Sequence, residues 1–387
     1  MSAVRTGLDV LLSSVPPFLR GARIGFVTSP SAVTSDLRHA IDAVVAVGDL
    51  SIVALFGPEH GLRGAAQAGE HVMSTSDERT GLPVHSLYGA TRVPSAAMLA
   101  GIDVLMVDLQ DIPVRYATFA STVFNLLEAA GPQGIDVVIL DRPNALNGAT
   151  VQGNVLDPAF RSFVGGHTVP IRHGLTFGEL GRLYAREFGL REPEVVSMDG
   201  WRRLMWFDDT GLPWVLPSPN MPTLDTVTLY PATCLVEGTN LSEGRGTTRP
   251  FEVIGAPWVD GDALADRLHA LDLDGVAFRS CSFVPTFSKH AGTVCGGVQI
   301  HVTDRDELDT PALGVHLLAQ VQQLDSEHFA WVPPSDDDRP YFIDLLAGTD
   351  RLRSDLDSGI AAQSIVDRWR AEAASFSPRH ASVALYD

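Results

Sequence analysis

The sequence predicts an α/β protein: a parallel sheet with helices on both faces over residues 1–230, followed by a smaller α+β domain over 231–387. Three observations carry this reading. Short, continuous apolar runs alternate with helical stretches in the first part, the pattern of strands buried on both faces. Several of these runs stop in polar clusters, as the strand ends of an open α/β sheet do where they present chemistry. From Pro257 onward the regular alternation ends and a strand pair appears among helices.

The elements follow in order. Residues 22–29, ARIGFVTS, form the first strand, and 36–47 a helix. Residues 51–56, SIVALF, form the second strand, stopped by Gly57-Pro58. A short strand over 84–87, a brief helix over 95–100 and a strand over 102–107, IDVLMV, come next. A helix over 116–130 leads to a strand over 135–140, IDVVIL. Residues 145–174 are rich in glycine and proline and read as loop. Thr176-x-x-Glu179 is a capping box that starts a helix over 176–188 and assigns Glu179 a structural role. A strand follows at 195–198. Residues 201–222 carry Trp201, Trp206, Trp214 and several prolines, which exclude a regular helix or central strand. The smaller domain reads as a helix over 260–271, strands over 276–285 and 293–303, and helices over 311–324, 342–347 and 358–374.

The first G-x-G-x-x-G position is empty, so no dinucleotide fingerprint is present. Glu59, His60 and Arg63 lie just past the second strand, on a turn punctuated by Gly57, Gly61 and Gly64. Two further strands end in Asp108-Leu109-Gln110-Asp111, with Arg115 nearby, and in Asp141-Arg142-Pro143-Asn144. A single aspartate after a strand is usually a helix cap, but three charged strand ends on one edge should converge. Residues 237–249 hold Glu237, Asn240, Glu243, Arg245 and Arg249 among three glycines. Such a segment is costly to order unless it binds something or forms a surface salt-bridge loop. Lys289 and His290 sit between the two late strands.

A formal net charge of -19 repels phosphate backbones and anionic lipid, so neither nucleic acid nor a membrane surface is expected as a partner. Three cysteines, Cys234, Cys281 and Cys295, without a C-x-x-C spacing argue against a disulfide framework and a structural zinc. No long apolar leader precedes residue 26, so a cytoplasmic location is expected. A metal-dependent hydrolase built on His60, His71 or His85 with Asp108 lacks a metal-ligand spacing, and no metal or cofactor is expected.

With these blocks in hand, the chain resembles the NamZ/YbbC-like family of exo-acting β-N-acetylmuramidases over nearly its whole length. The resemblance rests on FGPEHGLRG (56–64), VDLQDIPVRYAT (107–118), LDRPNALNG (140–148), HGLTFGEL (173–180), PSPNMPT (217–223), EGTNLSEGRGTTRPFE (237–252) and FSKHAGTVCGG (287–297). It implies a Rossmann-like N-terminal domain, a smaller C-terminal domain and an active-site cleft between them. It implies removal of the non-reducing terminal N-acetylmuramic acid from peptidoglycan fragments, with a muropeptide or disaccharide as substrate, by a monomer or dimer. The family's catalytic glutamate maps onto Glu59, the expected acid. Asp108, Asp111 or Glu243 would raise its pKa. The second role is open between Asp141, Glu243 and the substrate's own acetamide. The sugar's carboxylate wants a cation, for which Arg63, Arg115, Arg245, Arg249 and Lys289 are candidates. His60, Asp108, Gln110, Asp111, Tyr116, Arg142, Asn144, His173, Asn220, Glu237, Asn240 and His290 are expected to complete the cleft. The alternative is a non-catalytic muropeptide-binding protein with the same cleft.

Overall fold

The computed structural model describes residues 4–63, 75–89, 91–334, 336 and 339–387. Its strands are β1 (Arg23–Thr28), β2 (Ser51–Gly57), β3 (Thr75–Ser76), β4 (Pro83–Ser86), β5 (Val104–Asp108), β6 (Asp136–Leu140), β7 (Gln152–Val155), β8 (Pro170–Arg172), β9 (Glu194–Val196), β10 (Val253–Ala256), β11 (Val276–Phe283) and β12 (Cys295–Val302). Its helices are α1 (Gly7–Ser13), α2 (Ala40–Val45), α3 (Ala96–Leu99), α4 (Thr118–Ala130), α5 (Phe177–Phe188), α6 (Leu224–Thr233), α7 (Gly261–His269), α8 (Thr310–Leu324), α9 (Phe342–Ala347), α10 (Arg351–Asp357), α11 (Ala362–Ser375) and α12 (Ser377–Ser382).

The apolar runs assemble as their composition demands. β4, β2, β1, β5, β6 and β9 lie side by side and parallel, and β3 adds antiparallel at the β4 edge. β5 is buried along its whole length, which is why its sequence shows no alternation. Apolar clusters cover both faces: one joins Phe56, Val107, Phe124 and Tyr184, the other Phe26, Ile41, Met106 and Leu140. The chain builds outward from β1 to β2 and β4, then returns to place β5 on the other side of β1. That reversal opens a crevice beyond the strand ends. The second region carries a three-stranded antiparallel sheet, β10-β12-β11.

Several elements were not legible. α6 runs through residue 230, and with Pro231 inside it no helix was expected there. It survives because its apolar side meets α8 closely: a Cβ at Gly314 would stand 2.7 Å from the carbonyl oxygen of Ala232. The helix expected over 358–374 is α11, which starts only at Ala362; α10, before it, was not expected, and the two are parted near Gly359 at φ 73°. β7 and β8 form a short antiparallel pair inside the stretch read as loop. The last residues return to the first sheet, where Tyr386 donates to Asp141 at 2.7 Å and Glu179 accepts from the Leu385 amide at 2.8 Å.

One buried side chain joins the two regions. Arg115 is 2% exposed and donates to the carbonyl oxygens of Asn154 (2.6 Å), Val169 (3.1 Å), Leu346 (3.2 Å) and Ala347 (2.7 Å). Burial pushes its pKa down to about 10, so it stays charged at neutral pH. Carbonyl dipoles, rather than a carboxylate, hold its two terminal nitrogens, while its Nε has no hydrogen-bond partner among the described residues. Arg115→Met would strand these acceptors out of water, so we expect a loss of about 3 kcal/mol in urea unfolding followed by circular dichroism. A loss below about 1 kcal/mol would show that the carbonyls find other donors.

Candidate active site

A cavity of about 920 Å³ opens beyond the ends of β2, β4 and β5 and is closed on the far side by the second region. The turn after β2 is tight. His60 and Gly61 both take left-handed backbone, at φ 69° and 73°, and the Gly61 amide bonds to the Pro58 carbonyl at 3.1 Å. Glycine adopts this conformation freely, whereas for His60 it costs on the order of 1 kcal/mol and persists only where surroundings enforce it. The turn delivers Glu59 to the cavity wall, 8% exposed, where Thr118 Oγ1 donates to its Oε2 at 2.7 Å.

Thr118 opens α4, and the same helix start holds a second carboxylate. Asp111 accepts the Phe119 amide at 3.3 Å and the Ile112 amide at 2.8 Å. Burial pushes Asp111 up to about 7, the two amides pull it back, and the charge of Glu59 beside it pushes it further up. Tyr88, just past β4, is raised to about 12 by burial and by the adjoining Glu59, so its hydroxyl keeps its proton.

The opposite wall is an ion cluster from the second region. Arg245 Nη2 lies 2.9 Å from Glu237 and its Nε 3.3 Å from Glu243. Lys289 Nζ lies 3.2 Å from Glu243 and donates to the carbonyls of Val236 and Glu237 at 3.2 and 3.1 Å. Burial raises Glu237, which Arg245 opposes and Glu243 reinforces. Two cations and two anions leave this wall near neutrality. Tyr116 forms part of the floor and donates to the Pro231 carbonyl at 2.5 Å. Asn220 is 5% exposed and lines the cavity, and its Nδ2 has no hydrogen-bond partner among the described residues.

The structure thus brings Glu59, His60, Asp111, Tyr116, Asn220, Glu237, Glu243, Arg245 and Lys289 to one space. It places the other expected site residues elsewhere, each for a visible reason. Asp141 is fully buried and accepts from the Thr176 hydroxyl and the Tyr386 hydroxyl at 2.7 Å and the Gly178 amide at 2.9 Å. It secures the start of α5, and burial lifts it to about 6. Asp108 and Arg142 form a buried ion pair, 2.9 Å between Oδ2 and Nη2, that ties the ends of β5 and β6 together. Arg63 turns to Asp77, at 2.9 and 3.1 Å, and Arg249 to Glu252 at 3.0 Å. Gln110 donates to the carbonyls of Asp111 and Pro143, both at 3.2 Å. Asn144 accepts the Leu146 amide at 2.9 Å and donates to the Leu175 carbonyl at 3.1 Å. His173 accepts the Leu175 amide at 3.1 Å, and burial pushes it down to about 3, which keeps it neutral. Asn240 bridges the His328 carbonyl and the Ala330 amide, and His290 Nε2 lies 2.7 Å from the Asn240 carbonyl.

Of the three carboxylates expected beside Glu59, Asp108 is spent on Arg142 and Glu243 on Lys289, whereas Asp111 feels the charge of Glu59. Sequence reading missed Tyr88, Arg92, Thr118 and Phe163. The first two follow the strand over 84–87 just as Glu59 follows the strand before it, so strand-end position alone would have found them. Among the described residues no group of three His, Cys, Asp or Glu side chains is set to hold a metal ion. His71 lies outside the described residues. His85 packs against Phe56 with ring centroids 5.1 Å apart.

Models of the two parts of the exo-β-N-acetylmuramidase NamZ match residues 24–225 and 228–386. The chain belongs to the NamZ exo-β-N-acetylmuramidase family. It is 44% identical over 384 residues to the peptidoglycan β-N-acetylmuramidase NamZ of Bacillus subtilis (strain 168), covering 99% of this chain and 91% of that one. Crystal structures of two DUF1343 family proteins from Bacteroides fragilis NCTC 9343 share the fold over 100% of this chain and 99% of each of theirs. Their TM-scores are 0.90 and 0.81, at 34% and 28% identity. No described helix is long and apolar enough to cross a membrane.

Asp111 yields a pH test. An unfolded aspartate ionises near about 3.9, whereas Asp111 in the fold holds its proton to about 7. Between these values the native state binds more protons, so this group's contribution to stability falls as pH rises from about 4 to about 7 and stays lost above. Asp111→Asn removes that loss. The stability of the variant relative to wild type should therefore rise across this window in urea titrations at several pH values. A difference independent of pH would overturn the assignment.

Proposed function

We propose that this protein is an exo-β-N-acetylmuramidase, a glycosidase that releases N-acetylmuramic acid from the non-reducing ends of peptidoglycan fragments. The observation that carries the reading is the Glu59–Asp111 pair at one helix start, facing a cavity large enough for a disaccharide. Cleavage of a glycoside passes through an oxocarbenium-like state and needs a proton for the leaving oxygen. Asp111, beside Glu59, retains its proton up to about pH 7, which keeps the negative charge at this end of the cavity low. Glu59, gripped by Thr118, is the member we assign as donor.

The division near residue 230 also belongs to this proposal: the first region supplies the carboxyl pair, and the second supplies the cation-bearing wall. The alternative of a non-catalytic binding protein is less well supported. A cleft that only binds an anionic sugar gains nothing from two adjoining carboxyls, since like charge repels the ligand.

Glu59→Gln should lower kcat for a muramic-acid glycoside by on the order of 10²-fold or more with the fold retained. Near-normal turnover by this variant would remove Glu59 from the chemistry. Activity should also fall as pH rises above about 7, where Asp111 loses its proton and adds a negative charge beside Glu59. A rate still climbing well beyond that pH would contradict a role for protonated Asp111.

A further inference from the structure

N-acetylmuramic acid differs from N-acetylglucosamine by one lactyl ether, and hence by one carboxylate. A protein of net charge -19 repels that group unless a local cation reads it. The cations expected for this task are committed elsewhere. Arg63, Arg115 and Arg249 do not line the cavity and are held by Asp77, by backbone carbonyls and by Glu252. Arg245 and Lys289 do line it, but each is ion-paired to Glu243, which is buried. Moving either toward a ligand would leave Glu243 buried beside less positive charge, which is unfavourable.

Arg92 is placed differently. It lines the same cavity, and its guanidinium carbon lies 4.2 Å from the centre of the Phe163 ring and 5.5 Å from that of Tyr88. Its backbone is anchored by Asn125 of α4, whose Nδ2 donates to the Arg92 carbonyl at 2.9 Å. Among the described residues no carboxylate forms an ion pair with it. One of its N–H groups meets the Tyr88 hydroxyl, and the remaining guanidinium donors match a carboxylate in geometry. Binding an anion there displaces water rather than breaking an existing ion pair. Tyr88 lies between Arg92 and Glu59, interacting with both. The anion site and Glu59 therefore share one neighbour, Tyr88, in one cavity.

We propose that Arg92, seated on Phe163 and Tyr88, binds the lactyl carboxylate and sets the preference for N-acetylmuramic acid over sugars lacking that group. This rests on the muramidase reading. Arg92 is a specificity residue and takes no part in proton transfer.

The test is calorimetric binding of free N-acetylmuramic acid, of its lactyl methyl ester and of N-acetylglucosamine to wild type, Arg92→Gln and Arg92→Lys. Wild type should prefer the acid over the ester by roughly 10- to 100-fold, and added salt should weaken that preference. Arg92→Gln should abolish the preference while binding of the ester changes little, and Arg92→Lys should restore part of it. An acid preference that survives in Arg92→Gln, an equal loss for acid and ester, or no preference in wild type would each overturn the proposal. Release of sugar from a muramic-acid glycoside by wild type is measured in parallel. Release together with any of these outcomes sinks only the role of Arg92. Absence of release sinks the muramidase reading itself.

Discussion

The first turn of α4 is the constraint on which the site depends. It offers unpaired amides and a positive dipole end, both of which favour negative charge. One of its residues, Thr118, grips the carboxylate delivered by β2, and the next, Phe119, grips the one delivered by β5. Asp111 lies only eight residues before Phe119, but Glu59 lies 59 residues before Thr118. The helix start therefore converts two separate strand ends into one two-carboxyl unit. Burial and mutual repulsion oppose the amides, and Asp111 settles at about 7 rather than at the ordinary value for an aspartate.

The surroundings of that unit divide the labour between the two regions. The sheet side carries carboxyls and aromatic rings, and the far wall carries Arg245 and Lys289 locked to Glu237 and Glu243. A cluster balanced in this way can be buried, because each charge is compensated within about one hydrogen bond's length. It also keeps its shape when a ligand arrives, since any single member is held by more than one contact. The chain's large negative charge then matters little inside the cavity. Local pairing, and not the overall charge, decides what an anion meets there.

The regions are also laced together at points away from the cavity. Arg115 gathers carbonyls from both, and the C-terminal residues lie back on the first region through Leu385 to Glu179, Tyr386 to Asp141 and the Arg203 donation to the Tyr386 carbonyl. Asp141, which the sequence offers as a catalytic candidate, is consumed in this lacing. Its position at the end of β6 resembles that of Asp111 at the end of β5, but α5 and the chain terminus cover it.

The comparison of those two aspartates shows what sequence could and could not decide. The continuous apolar runs over 102–107 and 135–140 determined two buried parallel strands, and the Gly57-Pro58 stop determined where β2 ends and Glu59 begins. These are local consequences of hydrophobic burial and backbone geometry, so they can be read from neighbours in the chain. Pro231 and the pair β7–β8 were illegible because distant packing overrides local propensity there. Which charged group faces the cavity was decided only by tertiary structure. Arg142 is spent on Asp108, Arg63 on Asp77 and Asp141 on Tyr386, and two of these three partners lie more than thirty residues away. A buried charge must find a partner wherever the fold provides one, and the identity of that partner is not written beside it in the sequence.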